Sequence, residues 1–239
     1  MDNVAYILAS KQMSAVKNLD VVANNVANVN TNGFKSDSMI FKEYMHQDVI
    51  DKTSMTGPQV TTTNFGEGAL KVTQNAFDLA ISGNGMFIIR TPAGDRYTKS
   101  GHFRLNQEGV LVNGDGYPVL SFDKQEIVFE DGDADPIIGS NGTIFVGTAI
   151  RGQVGVAEFN DLNSVRKLGN GLFTSDIEPN EAEGAKVIQG SLEESNVNSI
   201  RQITILTQIE KDVVQTTRFI NDIYSMQRDA FKIYAKVGG

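Results

Sequence analysis

The hydrophobic period of this chain changes twice, and those changes restrict the folds open to it. Near the start, Ala5, Leu8, Gln12, Ala15, Leu19, Val22, Val26 and Val29 recur at alternating steps of three and four. Near the end, Leu206, Ile209, Val213, Thr216, Ile220, Ile223, Gln227, Ala230, Tyr234 and Val237 repeat the pattern. Seven of the eight early positions and eight of the ten late ones are apolar, so each stretch lines a seam along one face of a helix. Between the two helices the period becomes strand-like. A sticky helix at each tip of a separate body suits a subunit that assembles.

The implied fold class is α+β. Residues 1–35 form an N-terminal helix and residues 190–239 a C-terminal helix, together a coiled-coil-like assembly domain. Residues 36–76 read as an extended connector, Thr-rich from Thr53 to Thr63, with a turn at Gly57-Pro58. Residues 77–189 read as an all-β, barrel- or sandwich-like body. Its candidate strands are Leu79–Ile81, Met86–Arg90, Arg96–Thr98, Phe103–Leu105, Val110–Val112, Tyr117–Leu120, Ile127–Phe129, Thr143–Val146 and Gln153–Phe159. Turn signals such as Gly83-Asn84-Gly85, Asn113-Gly114-Asp115-Gly116 and Asn141-Gly142 punctuate them.

The first helix runs to about Val29 and meets a segment with five asparagines between Ala23 and Lys35. Two accounts fit. Asn disfavours helix interiors and Gly33 is a natural stop, so the helix ends here. Alternatively, Asn24, Asn25 and Asn28 bond across to a neighbouring helix and set its register. The last helix begins near Ser191, where Ser191 with Glu194, or Ser199 with Gln202, forms a capping box. Apolar residues outside its seam (Val214, Phe219, Tyr224, Met226, Phe231, Ile233) make its face wider than one partner helix covers.

Composition closes several routes. A net charge of −8 lacks the positive field that draws proteins to nucleic acid. The chain has no cysteine, which removes disulfides, thiol catalysis and zinc ribbons. Met1–Gln12 has no basic n-region, so no cleaved secretory signal is expected, and no window reaches the roughly 20 apolar residues of a membrane helix. His46 and His102 stand apart without companions at metal spacing. Asp131-Gly132-Asp133-Ala134-Asp135 starts like a calcium loop but puts Pro136 where glycine is needed. Glu193 and Glu194 would diverge by about 100° on a helix and serve there as N-terminal negative charge. No catalytic constellation emerges, so neither enzyme activity nor a cofactor is expected.

Four blocks also carry a family likeness. Ala23 to Lys35 resembles the N-terminal motif of the flagellar rod and hook family. Asp78-Leu79-Ala80-Ile81-Ser82-Gly83-Asn84-Gly85-Met86-Phe87 is similar to its block at the start of the β domain, as is Tyr97-Thr98-Lys99-Ser100-Gly101-His102-Phe103. Gly190-Ser191-Leu192-Glu193-Glu194-Ser195-Asn196-Val197-Asn198 resembles the block before the terminal helix. Length and the opening Met1–Ile7 favour the proximal rod members. Val26 replaces a usual leucine, and Thr207–Asp212 lacks a frequent Gln-Arg. The rivals are a distal rod protein of the same family and, in another class, a secreted adhesin or carbohydrate-binding β module.

The resemblance implies a structural subunit of the periplasmic rod of the flagellar basal body, sent out by the flagellar type III export apparatus. Its partners would be other proximal and distal rod proteins and copies of itself, with no nucleic acid and no membrane insertion. The expected subunit-contact residues are Leu8, Ala15, Leu19, Val22, Asn24, Asn25, Val26, Asn28, Gly33 and Phe34 at the front. At the back they are Ser195, Asn196, Val197, Asn198, Leu206, Ile209, Val213, Ile220 and Ile223.

Overall fold

A computed structural model describes residues 2–40, 43–47, 52–56, 60–130 and 135–237. The fold is α+β, and the chain divides into two compact units. The expected turn at Gly57-Pro58 and the first four residues of the acidic stretch Asp131–Asp135 lie outside the described residues.

The first unit holds α1 (Asp2–Ala27), β1 (Asp37–Ile40), β2 (Glu43–Gln47), β3 (Lys52–Thr56), β4 (Val60–Thr63) and α2 (Ser199–Val237). β1 pairs antiparallel with β4, and β2 with β3. The stretch read as a connector therefore folds back on itself as paired strands, which its β-branched threonines favour. α1 packs on α2. Across the pair, the Gln12 side-chain amide donates to the Thr217 hydroxyl at 3.4 Å.

Burial along the helices follows the seams. Val22 and Ile209 are buried, and Leu8, Gln12, Ala15, Leu19, Val26, Leu206, Val213, Ile220 and Ile223 are half-buried. Thr216 tolerates burial because its hydroxyl donates to the Asp212 carbonyl one turn back, at 2.8 Å. Neither expected capping box forms. Ser191 lies in a strand and Ser199 is already helical. The cap is Asn198, whose Oδ1 accepts the Arg201 N–H at 2.9 Å while its carbonyl accepts Gln202 N–H at 3.0 Å.

Among the described residues the second unit carries sixteen strands. The first eight are β5 (Leu70–Val72), β6 (Leu79–Ser82), β7 (Met86–Thr91), β8 (Gly94–Thr98), β9 (Arg104–Leu105), β10 (Leu111–Val112), β11 (Val119–Leu120) and β12 (Ile137–Ile138). The remainder are β13 (Thr143–Val146), β14 (Ala149–Gln153), β15 (Val156–Glu158), β16 (Val165–Gly169), β17 (Leu172–Ser175), β18 (Asn180–Glu181), β19 (Lys186–Gln189) and β20 (Ser191–Glu193). The largest sheet has the order β16-β17-β8-β7-β15-β18, with β11 also on β7. β12-β13-β14 form a second sheet, and β19-β6, β20-β5 and β10-β9 form pairs.

Among the described residues no sheet closes, so the body is a cluster of short sheets rather than a barrel. Many strands are only two or three residues long and end at glycine turns, too short for a continuous ladder. The expected strand at Ile127–Phe129 is a single bridge, Val110 to Val128. β7 is central: Met86, Phe87, Ile88 and Ile89 are all buried, so both faces are covered, as a continuous apolar run requires. On one face Phe87 meets Phe103 edge-on, with centroids 5.1 Å apart.

Candidate assembly surfaces

Three groups of residues are candidates for assembly contacts, and the helical unit supplies two. The first is the seam just described. The second is a stripe on α2 formed by Phe219, Met226 and Ile233, seven residues apart and 64%, 65% and 64% exposed. At 3.6 residues per turn it lies roughly 80–120° around the helix from the seam, so α1 does not cover it. α2 has 39 residues against 26 in α1, which makes it longer by about 20 Å. Ile7, Met13 and Val16 on α1 are exposed too. Among the described residues no helix is long and apolar enough to cross a membrane.

Asn25 is 1% exposed and uses its amide inside the chain. Its Nδ2 donates to the Asp37 carbonyl at 2.7 Å, and its Oδ1 accepts the Asp37 N–H at 2.9 Å. The side chain thereby imitates a strand neighbour and fastens β1 to α1. Asn24 is exposed. Asn28 accepts the Thr31 hydroxyl at 3.1 Å and ends the helix with a turn.

The third group lies in the β-rich unit, where Asn28 to Ser36 belongs. Gly33 is not the helix stop; α1 ends at Ala27, and Gly33 serves a close approach. Its φ is +68°, and a Cβ there would sit 2.4 Å from the backbone of Lys99 and Ser100. Its N–H donates to the Glu193 carbonyl at 2.7 Å. Phe34 is buried under the Lys167 ammonium, 3.8 Å from the ring centroid. Ser195 accepts the Val197 N–H at 3.3 Å, and Val197 is buried.

Glu193, expected near a helix N-terminus, is instead 1% exposed in β20. Its Oε1 takes the Lys35 ammonium at 2.6 Å and the Gly68 N–H at 2.8 Å. Lys35 is fully buried and also donates to the Gly66 carbonyl at 2.8 Å. Lys99 Nζ stands 3.9 Å from Glu193 Oε2, beyond hydrogen-bond reach, and donates to the Gly83 carbonyl at 3.2 Å. Burial holds the Lys99 amine below its usual range, with Glu193 opposing that shift and Lys35 adding to it. His102 is more than half exposed, with Nδ1 2.7 Å from the buried Asp78 carboxylate.

Residue reasoning missed this charge cluster because its members are scattered in sequence. One signal was present: Lys35, Lys99 and Glu193 each lie in one of the blocks that carry the family likeness.

Comparison with known proteins agrees with these blocks. The family described as flagella basal body rod protein matches residues 6–35, and the flagellar hook protein FlgE/F/G D1 domain matches residues 80–146. The flagellar basal-body rod protein FlgF of Caulobacter vibrioides is 32% identical, over 99% of this chain and 100% of that protein. FlgF of Rhizobium meliloti is 30% identical over 96% of this chain and 94% of its own length. The flagellar basal-body rod protein FlgG of Bacillus subtilis is 31% identical over 87% and 91%. A likeness to FlgF that runs from end to end makes this chain a member of the flagellar basal-body rod protein family, a structural subunit of the basal body rather than an enzyme.

Proposed function

We propose that the chain polymerises through its terminal helices into the proximal part of the rod, the periplasmic shaft that carries torque. Its neighbours are copies of itself and other proximal and distal rod proteins, and it reaches the periplasm through the flagellar type III export apparatus. The seam residues Leu8, Ala15, Leu19, Val22, Val26, Leu206, Ile209, Val213, Ile220 and Ile223 hold the two helices as a coiled-coil-like pair. That pair is the unit that packs. Asn24 faces outward toward a neighbour. Asn25, Asn28, Gly33, Phe34, Ser195, Asn196, Val197 and Asn198 act on the contact indirectly, by setting where the helices start and stop.

The observation that carries this reading is the exposed Phe219, Met226 and Ile233 stripe. Three large apolar side chains in line on a helix already packed on its other face suit another helix. The test is Phe219→Asp with Met226→Asp in one chain. Helical content should match the parent while motility and incorporation into basal bodies are lost. Normal swimming by cells carrying only this variant would refute the reading.

A further inference from the structure

The chain passes between its two units four times, at Ala27/Asn28, Ser36/Asp37, Asn64/Phe65 and Val197/Asn198. Four single strands of backbone would normally act as separate tethers, each free to rotate about its own φ and ψ. Here three of the four are not separate. On the β-rich side, Gly33–Ser36, Gly66–Ala69 and Glu193–Asn196 come together although they are far apart in sequence.

Three side chains, Glu193, Asn196 and Lys35, do the joining. Glu193 Oε1 binds Lys35 Nζ at 2.6 Å and Gly68 N–H at 2.8 Å, and its carbonyl accepts Gly33 N–H at 2.7 Å. Asn196 Oδ1 accepts Ser36 N–H at 2.7 Å, and its Nδ2 donates to the Gly66 carbonyl at 2.9 Å. The Lys35 ammonium reaches the same Gly66 carbonyl at 2.8 Å, and Lys167 Nζ donates to the Lys35 carbonyl at 2.7 Å. Each of the three segments is bonded to the other two.

We infer that Glu193, Lys35 and Asn196 are positioning residues that clamp the crossing strands into one cable, so that load passes through them together rather than strand by strand. A buried ion pair adds little to stability compared with an apolar replacement of similar volume. Its value is in specifying one arrangement: Lys35 finds its charge partner and its carbonyl only when all three segments are in register. Sequence spacing agrees. Lys35 and Asn196 each lie within two residues of a crossing, and Gly66 lies two residues after another.

The clamp rests on the rod-subunit reading for its mechanical purpose, but its structural half can be read on the purified chain alone. Glu193→Gln keeps the shape and removes the charge; Lys35→Met with Glu193→Met replaces the pair by apolar groups and leaves Lys99 its bond to the Gly83 carbonyl. In both, amide exchange at Gly33, Ser36 and Gly68 should speed up by about tenfold or more while the β7–β8 ladder keeps its protection. Unchanged exchange at those three amides, or a loss shared equally with β7–β8, overturns the clamp. For the mechanical half, cells carrying the double variant should build rods yet slow more than the parent as medium viscosity rises. Equal slowing overturns that half without touching membership in the rod.

Discussion

At the scale of single residues, polar side chains hold this chain at its corners. Asn25 ties β1 to α1 with two hydrogen bonds from an almost fully buried amide. Asn25→Ala leaves the Asp37 N–H and carbonyl without those partners, and should cost about 2 kcal/mol in unfolding of the helical unit, measured by denaturant titration with far-UV circular dichroism. Lys99 supplies a pH signature. Its amine is pushed below its ordinary value of 10.5 in the folded chain, chiefly by burial. The unfolded chain therefore binds the proton more tightly, and folding is penalised in full below the folded pKa. The penalty is relieved as pH climbs toward 10.5. The parent should gain stability relative to Lys99→Met between neutral pH and about 10, and a difference that stays flat across that range would remove the effect. Asn113-Gly114-Asp115-Gly116 was legible as a turn because Asn113 bonds locally, accepting the Asp115 and Tyr117 N–H groups at 3.1 and 2.8 Å. Glu193 was illegible for the opposite reason: its partner Lys35 is 158 positions away, and no local pattern encodes that meeting.

Among the elements, α1 and α2 could be read from their spacing because a helix seam repeats over many turns and each repeat reinforces the rest. Positions such as Val22, Ile209 and Thr216 are buried where that spacing puts them. The short strands of the body were harder. β6, β7 and β13 have apolar runs long enough to show, whereas β12 and β18 are two residues each and owe their pairing to tertiary contacts. The ribbon β1–β4 carries Thr where an apolar alternation would have announced it. Unequal helix length has a consequence of its own. Past about Tyr224 the last turns of α2 outreach α1, so in dilute chain their amides should exchange faster than those near Ile209 and become protected on assembly. Equal protection along α2 in dilute solution would show that the overhang needs no partner. Leu19→Asp or Ile220→Asp should abolish motility while near-ultraviolet signals from the β-rich unit persist; swarming by both variants would contradict the role given to the seam.

For the whole molecule, the division of labour follows from what each unit offers. The β-rich unit buries its apolar residues around β7, and its loops are closed by asparagine and glycine turns. The helical unit leaves large apolar side chains exposed along both helices. Exposed apolar side chains of that size suit a building block that assembles with other subunits. The identity over the full length of FlgF relatives places it among basal-body rod proteins. The most direct test is electron microscopy of basal bodies isolated from cells in which this chain has been deleted and from the same cells with it restored. The account predicts truncated basal bodies without a complete rod in the first and full rods in the second; complete rods in the absence of the chain would contradict it.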